Sequence, residues 1–158
     1  MQKITPFLWF DGNAEEAVDF YASVFKNSVI VSKDRAGNSG GPWPAGSLIS
    51  ATLEIDSNRF ILFNGGPLYR FSPATSLYVN CETQEEVDAL WDKLSEGGKP
   101  NRCGWLDDKF GVTWQIVPSA LPKLMNDKDR AKAGRVIQAM MKMGKIIIAE
   151  LQKAYDGE

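Results

Sequence analysis

The feature that leaves this chain the fewest folds is an internal repeat. Glu16-Ala17-Val18-Asp19-Phe20-Tyr21 lies over Glu86-Val87-Asp88-Ala89-Leu90-Trp91 at an offset of 70 residues. The apolar strand before each helix superposes as well. In the first copy residues 4–10 read as a strand, and Asn13 with Glu16 reads as a capping pair opening a helix that ends near Asn27. A strand at 29–31 follows, then a loop at 36–46 rich in Gly and Pro. Alternating residues at 49–55, a turn at 56–58 and a return at 59–63 form a hairpin. In the second copy 76–81 is a strand, Thr83-Gln84-Glu85-Glu86 a capping box, and Val87, Leu90, Trp91 and Leu94 the apolar face of a helix. Strands at 104–106 and 112–117 close the copy, with a weak one around Pro100. The unit is strand-helix-strand-strand-strand, and two copies of this size make one domain rather than a solenoid.

The fold class this predicts is α+β, with two βαβββ modules at 1–68 and 69–118 inside a single domain of 158 residues. Residues 119–158 have no counterpart in the first copy and read as a helical tail. Asp129 caps one tail helix, and Met140, Met141, Ile147, Ile148 and Leu151 form an apolar stripe. Open curved sheets have edges to cover, so the stripe predicts a homodimer with the tail at or beside the interface.

The chain contains no histidine. That removes Ser-His-Asp and Cys-His nucleophile systems, His-ligated zinc and the usual acid-base residue at neutral pH. Cys81 and Cys103 lie outside any C-x-x-C spacing. A net charge of −2 gives no electrostatic footprint for nucleic acid. No apolar run reaches the ~18 residues of a membrane span, and residues 1–4 do not begin a signal peptide. The expectation is a cytoplasmic protein with reduced thiols and no nucleic-acid or membrane partner.

The repeat resembles the vicinal oxygen chelate superfamily, the glyoxalase, bleomycin-resistance and extradiol-dioxygenase group. The finer resemblance is to its PhnB-like branch, whose members carry the label 3-demethylubiquinone-9 3-methyltransferase. It is carried by Phe10-Asp11-Gly12-Asn13-Ala14-Glu15-Glu16-Ala17 with Phe20-Tyr21, by Asn64-Gly65-Gly66-Pro67 and Val79-Asn80-Cys81, and by Cys103-Gly104-Trp105 with Trp114-Gln115-Ile116-Val117-Pro118. It extends over essentially the whole chain, tail included. The resemblance implies a cleft that, in metal-using relatives, holds a divalent ion on two His and two Glu. Carried onto this chain, those positions fall near Pro6, Leu62, Ser76 and Gln115, and none is a strong metal ligand. The expectation is therefore no metal and no cofactor. The label implies S-adenosylmethionine, but the first strand-helix junction, Asp11-Gly12-Asn13, has no G-x-G.

Strand alternation then selects the lining of the cleft. Leu8, Phe10 and Leu62 in the first module, and Ser76, Tyr78, Asn80, Thr113, Gln115 and Val117 in the second, are expected to face it. Leu77, Val79, Trp114 and Ile116 are expected under the helices. Trp43, in the Gly/Pro loop, is the lid candidate. Arg102 beside Cys103 offers a reactive thiol, against the commoner reading of an inert cysteine; Cys81 reads as core. Gly65-Gly66 offers an anion-binding nest, against a plain turn. Glu15-Glu16 and Glu85-Glu86 read as helix-dipole partners rather than catalytic carboxylates. The function expected is metal-free small-molecule binding. Two alternatives are an enzyme of the superfamily, of lyase, isomerase or dioxygenase type, with a rebuilt site, and a methyltransferase.

Overall fold

Each copy of the repeat builds a four-stranded sheet of the same topology. In the computed structural model, which describes residues 2–38 and 41–158, the first copy runs β1 (Phe7–Phe10), α1 (Ala14–Val24), β2 (Ser28–Arg35), β3 (Leu48–Ile55) and β4 (Asn58–Asn64). The second runs β5 (Ser76–Cys81), α2 (Gln84–Ser95), β6 (Lys99–Pro100), β7 (Trp105–Asp107) and β8 (Thr113–Pro118). The sheet orders are β1-β4-β3-β2 and β5-β8-β7-β6, with the first pair of each parallel and the rest antiparallel. The α+β fold with two βαβββ copies stands as read from the repeat. The chain forms two compact units, Met1–Phe71 and Ser72–Glu158.

In the first unit α1 buries Ala14, Ala17, Val18, Tyr21 and Val24. They pack on Phe10, Ala51, Leu53 and Leu62, the helix-side face of the sheet. The helix stops at Val24, short of Asn27, and its cap differs from the expected one. Asn13 makes no side-chain capping bond; Asn64 Oδ1, at the end of β4, accepts from the Ala14 N–H at 2.9 Å. The other side of that amide donates to Leu48 O at 3.0 Å, so one side chain ties β4, β3 and the start of α1. β2 is longer than residues 29–31 because it pairs with β3 as far as Arg35 and Leu48, and Lys33 and Arg35 on it form ion pairs with Glu15 and Asp19 of α1. The loop at 36–46 is closed at its neck by Ala36 N–H to Ser47 O at 2.9 Å. Its Ser39 and Gly40 lie outside the described residues.

In the second unit α2 buries Val87, Leu90, Trp91 and Leu94 against Leu106, Trp114 and Ile116. The capping box forms: Thr83 Oγ1 accepts from Glu86 N–H at 3.2 Å. The Glu86 carboxylate reaches back to the N–H of Glu82, at 2.8 Å. Asp108 is buried, and its carboxylate accepts from Phe110 N–H, Val112 N–H and Trp114 Nε1–H at 2.9, 3.0 and 2.8 Å. It organises the turn between β7 and β8.

The tail folds into α3 (Ala120–Met125), α4 (Arg130–Met140) and α5 (Ile148–Asp156). Asp129 caps α4 as expected, accepting from Ala131 and Lys132. Leu121, Val136, Ile146 and Leu151 form a core with Val117 of β8. The tail is held to α2 through Gln84, whose amide donates to Ile146 O at 3.1 Å and accepts from Ile148 N–H at 2.7 Å. Lys145 bonds Asp88 at 2.9 Å beside it. Much of the apolar stripe offered to a second chain therefore packs within this unit, while Met141 stays exposed.

Candidate binding site

The two sheets each turn one face to a helix and leave the other open, and register decides which residues lie where. In the second unit Ser76, Tyr78 and Asn80 pair with Thr113, Gln115 and Val117 on the open face. Leu77, Val79, Trp114 and Ile116 take the helix face, as alternation predicts. In the first unit the assignment is reversed. Phe10 and Leu62 are buried in the core and Leu8 shares their side. The open face instead carries Phe7, Trp9, Ile61 and Phe63. The cause is one residue: three residues separate β1 from α1, but two separate β5 from α2. The helices superpose at an offset of 70, but β1 and β5 match in facing at 71, and a slip of one flips every side chain. Gly12, at φ +82°, occupies the longer junction in a conformation costly for other residues.

The open face of the second sheet contains a cavity of about 460 Å³. Its floor is Tyr78, Trp105, Gln115 and Val117, and its walls are Leu121, Pro122 and Met125 of α3 with Arg130, Ile137 and Met140 of α4. Gln115 Nε2 donates to Ser76 Oγ at 2.8 Å. Burial, then the nearby Cys81, raises the Tyr78 phenol above its ordinary value, so it remains a neutral hydroxyl. Thr113 is buried and donates to Asp107 at 2.6 Å, while Asn80 is exposed beside Glu82. Cys103 lines the cavity with its backbone at φ +61°, its N–H bonded to Met143 O at 2.8 Å. Cys81 is fully buried, which pushes its thiol up to about 12. The tail walls were invisible to strand alternation, which sorts only sheet residues. Trp105 was within its reach, since it alternates with buried Leu106.

The first unit has its own cavity, about 540 Å³, lined by Trp9, Trp43, Phe63, Leu48 and Asp11 with the Asn64-Gly65-Gly66 turn. Trp43, the lid candidate, donates its Nε1–H to Asn64 O at 2.7 Å. Gly65 and Gly66 both donate their N–H groups to Phe10 O, at 3.0 and 3.3 Å. The segment is a turn, and the anion nest is excluded because its donors are used.

The donor set does not fit a divalent ion at the positions the fold implies. Ser76 and Gln115 are neutral and bonded to each other, Leu62 is buried under α1, and the Pro6 side chain has no donor atom. Among the described residues no group of three His, Cys, Asp or Glu side chains is placed to hold a metal ion. Among them, too, no helix is long and apolar enough to cross a membrane.

The profile of the family described as 3-demethylubiquinone-9 3-methyltransferase matches residues 2–117. The chain is similar to the PhnB protein from Bacillus cereus at 42% identity and a TM-score of 0.68, covering 75% of this chain and 100% of that one. It is similar to protein PA1353 from Pseudomonas aeruginosa at 23% identity and a TM-score of 0.64, covering 75% and 98%. A mutant of the fosfomycin resistance protein FosX from Listeria monocytogenes, complexed with Mn(II) and a dihydroxypropylphosphonic acid, is 14% identical. Its TM-score is 0.50, with 72% of this chain and 90% of that one covered. These last two likenesses concern the fold. Among curated proteins nothing matches. The family match ends at residue 117, so the expectation that the resemblance includes the tail is corrected: α3 to α5 lie beyond it.

Proposed function

The chain belongs to the family described as 3-demethylubiquinone-9 3-methyltransferase, a PhnB-like member of the glyoxalase and bleomycin-resistance superfamily, and on that premise we propose that it is a metal-free small-molecule-binding protein. The methyltransferase of the description is a family name, and the single glycine of Asp11-Gly12-Asn13 provides no nucleotide-binding turn. The ligand sits in the tail-walled cavity of the second unit, on Tyr78, Trp105 and Gln115. An apolar wall with a few directed polar groups is the usual composition of such a pocket. The observation that carries the metal-free reading is the Gln115–Ser76 hydrogen bond of 2.8 Å. It joins two positions where metal-using relatives place ligands, and a neutral amide and hydroxyl do not supply the charge that holds a divalent ion.

The test is metal analysis after dialysis, with thermal unfolding in added Mn, Ni, Zn and Fe. A ligand bound only by the native state raises the melting temperature. The expected result is no stoichiometric ion and no rise. A retained ion, or a metal-dependent rise of several degrees, overturns the reading and puts the rebuilt enzyme in its place. We further propose that the protein is cytoplasmic and that two chains pair; a monomer in light scattering at micromolar concentration overturns the pairing.

A further inference from the structure

We propose that the aromatic cavity of the first unit is a second binding site, and that it takes an organic ammonium cation. This goes beyond the reading above, which concerns the second unit. Phe63 stands between two indoles at near-perpendicular settings. Trp9 lies 5.2 Å from it at 68°, and Trp43 lies 5.9 Å from it at 73°. Rings meeting at such angles are the walls of a box, and a cation over their faces is attracted by the ring quadrupoles.

The donors of the site argue in the same direction. Trp9 Nε1–H is bonded to Gly66 O at 2.9 Å, and Trp43 Nε1–H to Asn64 O at 2.7 Å. Ser47 Oγ donates to Pro44 O, and Asn64 Nδ2 to Leu48 O. Each side-chain donor lining the cavity is thus bonded to a backbone carbonyl, and the Gly65 and Gly66 N–H groups are bonded to Phe10 O. An anion would have to compete with these carbonyls for the side-chain donors. What the lining presents is ring surface and one ionisable group, the Asp11 carboxylate. Arg70, the cation nearest to Asp11, is 3.8 Å from it, is largely solvent-exposed and does not line the cavity. A pair so exposed is weak and leaves the carboxylate available to a second partner.

The box is also rigid on one side. Gly65 lies flat against the Trp9 indole, and a Cβ at that position would overlap the ring. The indole is therefore fixed against the backbone at Gly65, with the ring of Tyr69 set nearly perpendicular to it 5.0 Å away. A wall fixed before the ligand arrives loses little freedom on binding.

The experiment titrates the whole protein with choline, with its neutral isostere 3,3-dimethylbutan-1-ol and with acetate. Binding is followed by calorimetry and by the indole N–H resonances. Choline is expected to bind about tenfold tighter than the isostere, the scale of a desolvated cation–π contact. Acetate is expected not to bind. The Trp9 and Trp43 indole signals should shift and that of Trp114, bonded to Asp108, should not. Asp11→Asn should weaken choline about threefold, and Trp43→Leu about tenfold or more, with circular dichroism confirming the fold of each. Should Trp43→Leu not fold, the exposed Asp11→Asn variant and the isostere comparison decide alone. Equal affinity for choline and the isostere, no choline binding, or variants that bind as well as the parent overturn the proposal.

Discussion

The two units share a strand order and a helix position, yet their open faces are finished in different ways. In the first, one loop brings Trp43 onto Phe63, and the cavity is aromatic and acidic. In the second, α3 and α4 of the tail wall the open face, and the cavity holds two amides, a phenol, two thioethers and an arginine. The sheets do not dictate this difference. It comes from segments outside the repeat: an insertion between β2 and β3 in one copy, and a tail after β8 in the other. Pocket chemistry in this fold is decided by what closes the face.

Detaching the tail should have the largest effect on the second unit. Leu151 is fully buried with Val117 of β8 in the same cluster. Leu151→Ala should cost about 3 kcal/mol in denaturant unfolding and deprotect amides of α4 and β8 in hydrogen exchange. If it costs nothing, the second face is as open as the first. The next test uses the strand ends. β1 ends in buried Phe10, which does not titrate, while β5 ends in buried Cys81, whose thiol is pushed from an ordinary 9.0 to about 12 by burial and by Glu86 and Glu82. Protonated Cys81 supports the fold fully below pH 9, and that support is lost as pH rises through 12. The slope in this window is at most about 1.4 kcal/mol per pH unit. Cys81→Ala should flatten urea midpoints measured from pH 8 to 11. An unchanged slope would mean that the two strand ends are alike.

The smallest effect separates the helix caps. Thr83→Ala, which removes a local cap, should cost about 1 kcal/mol, and Asn64→Ala, which removes a remote one, at least about as much. Asn13→Ala should cost only a few tenths. Equal losses at Asn13 and Asn64 would show the first helix to be capped as locally as the second.

The sequence made the architecture legible because period and punctuation are local properties. The Thr83 box, the Asp129 cap and the alternation of β5 and β8 each depend on residues within a few positions. What it hid depends on distance or on counting. Asn64 caps a helix 50 residues away, a partnership with no local signature. Leu8 and Phe10 were assigned to the wrong face because the offset of 70 that holds for the helices does not hold for β1 and β5, and Leu62, paired with Leu8, goes with them. The junction lengths, Asp11-Gly12-Asn13 against Glu82-Thr83, were readable and carry the correction. The tail walls of the second cavity required the tertiary structure.

The longer junction at Gly12 also governs what the two halves can exchange. A gene that doubled and then gained one codon in a single copy keeps its sheets but swaps inside for outside along a strand. From then on the copies stop being interchangeable texts. A strand copied from one half over the other without its junction would send ring-bearing residues of the open face into a packed interior. The two halves are thereby committed to separate histories, each free to acquire its own specificity without being overwritten by its twin.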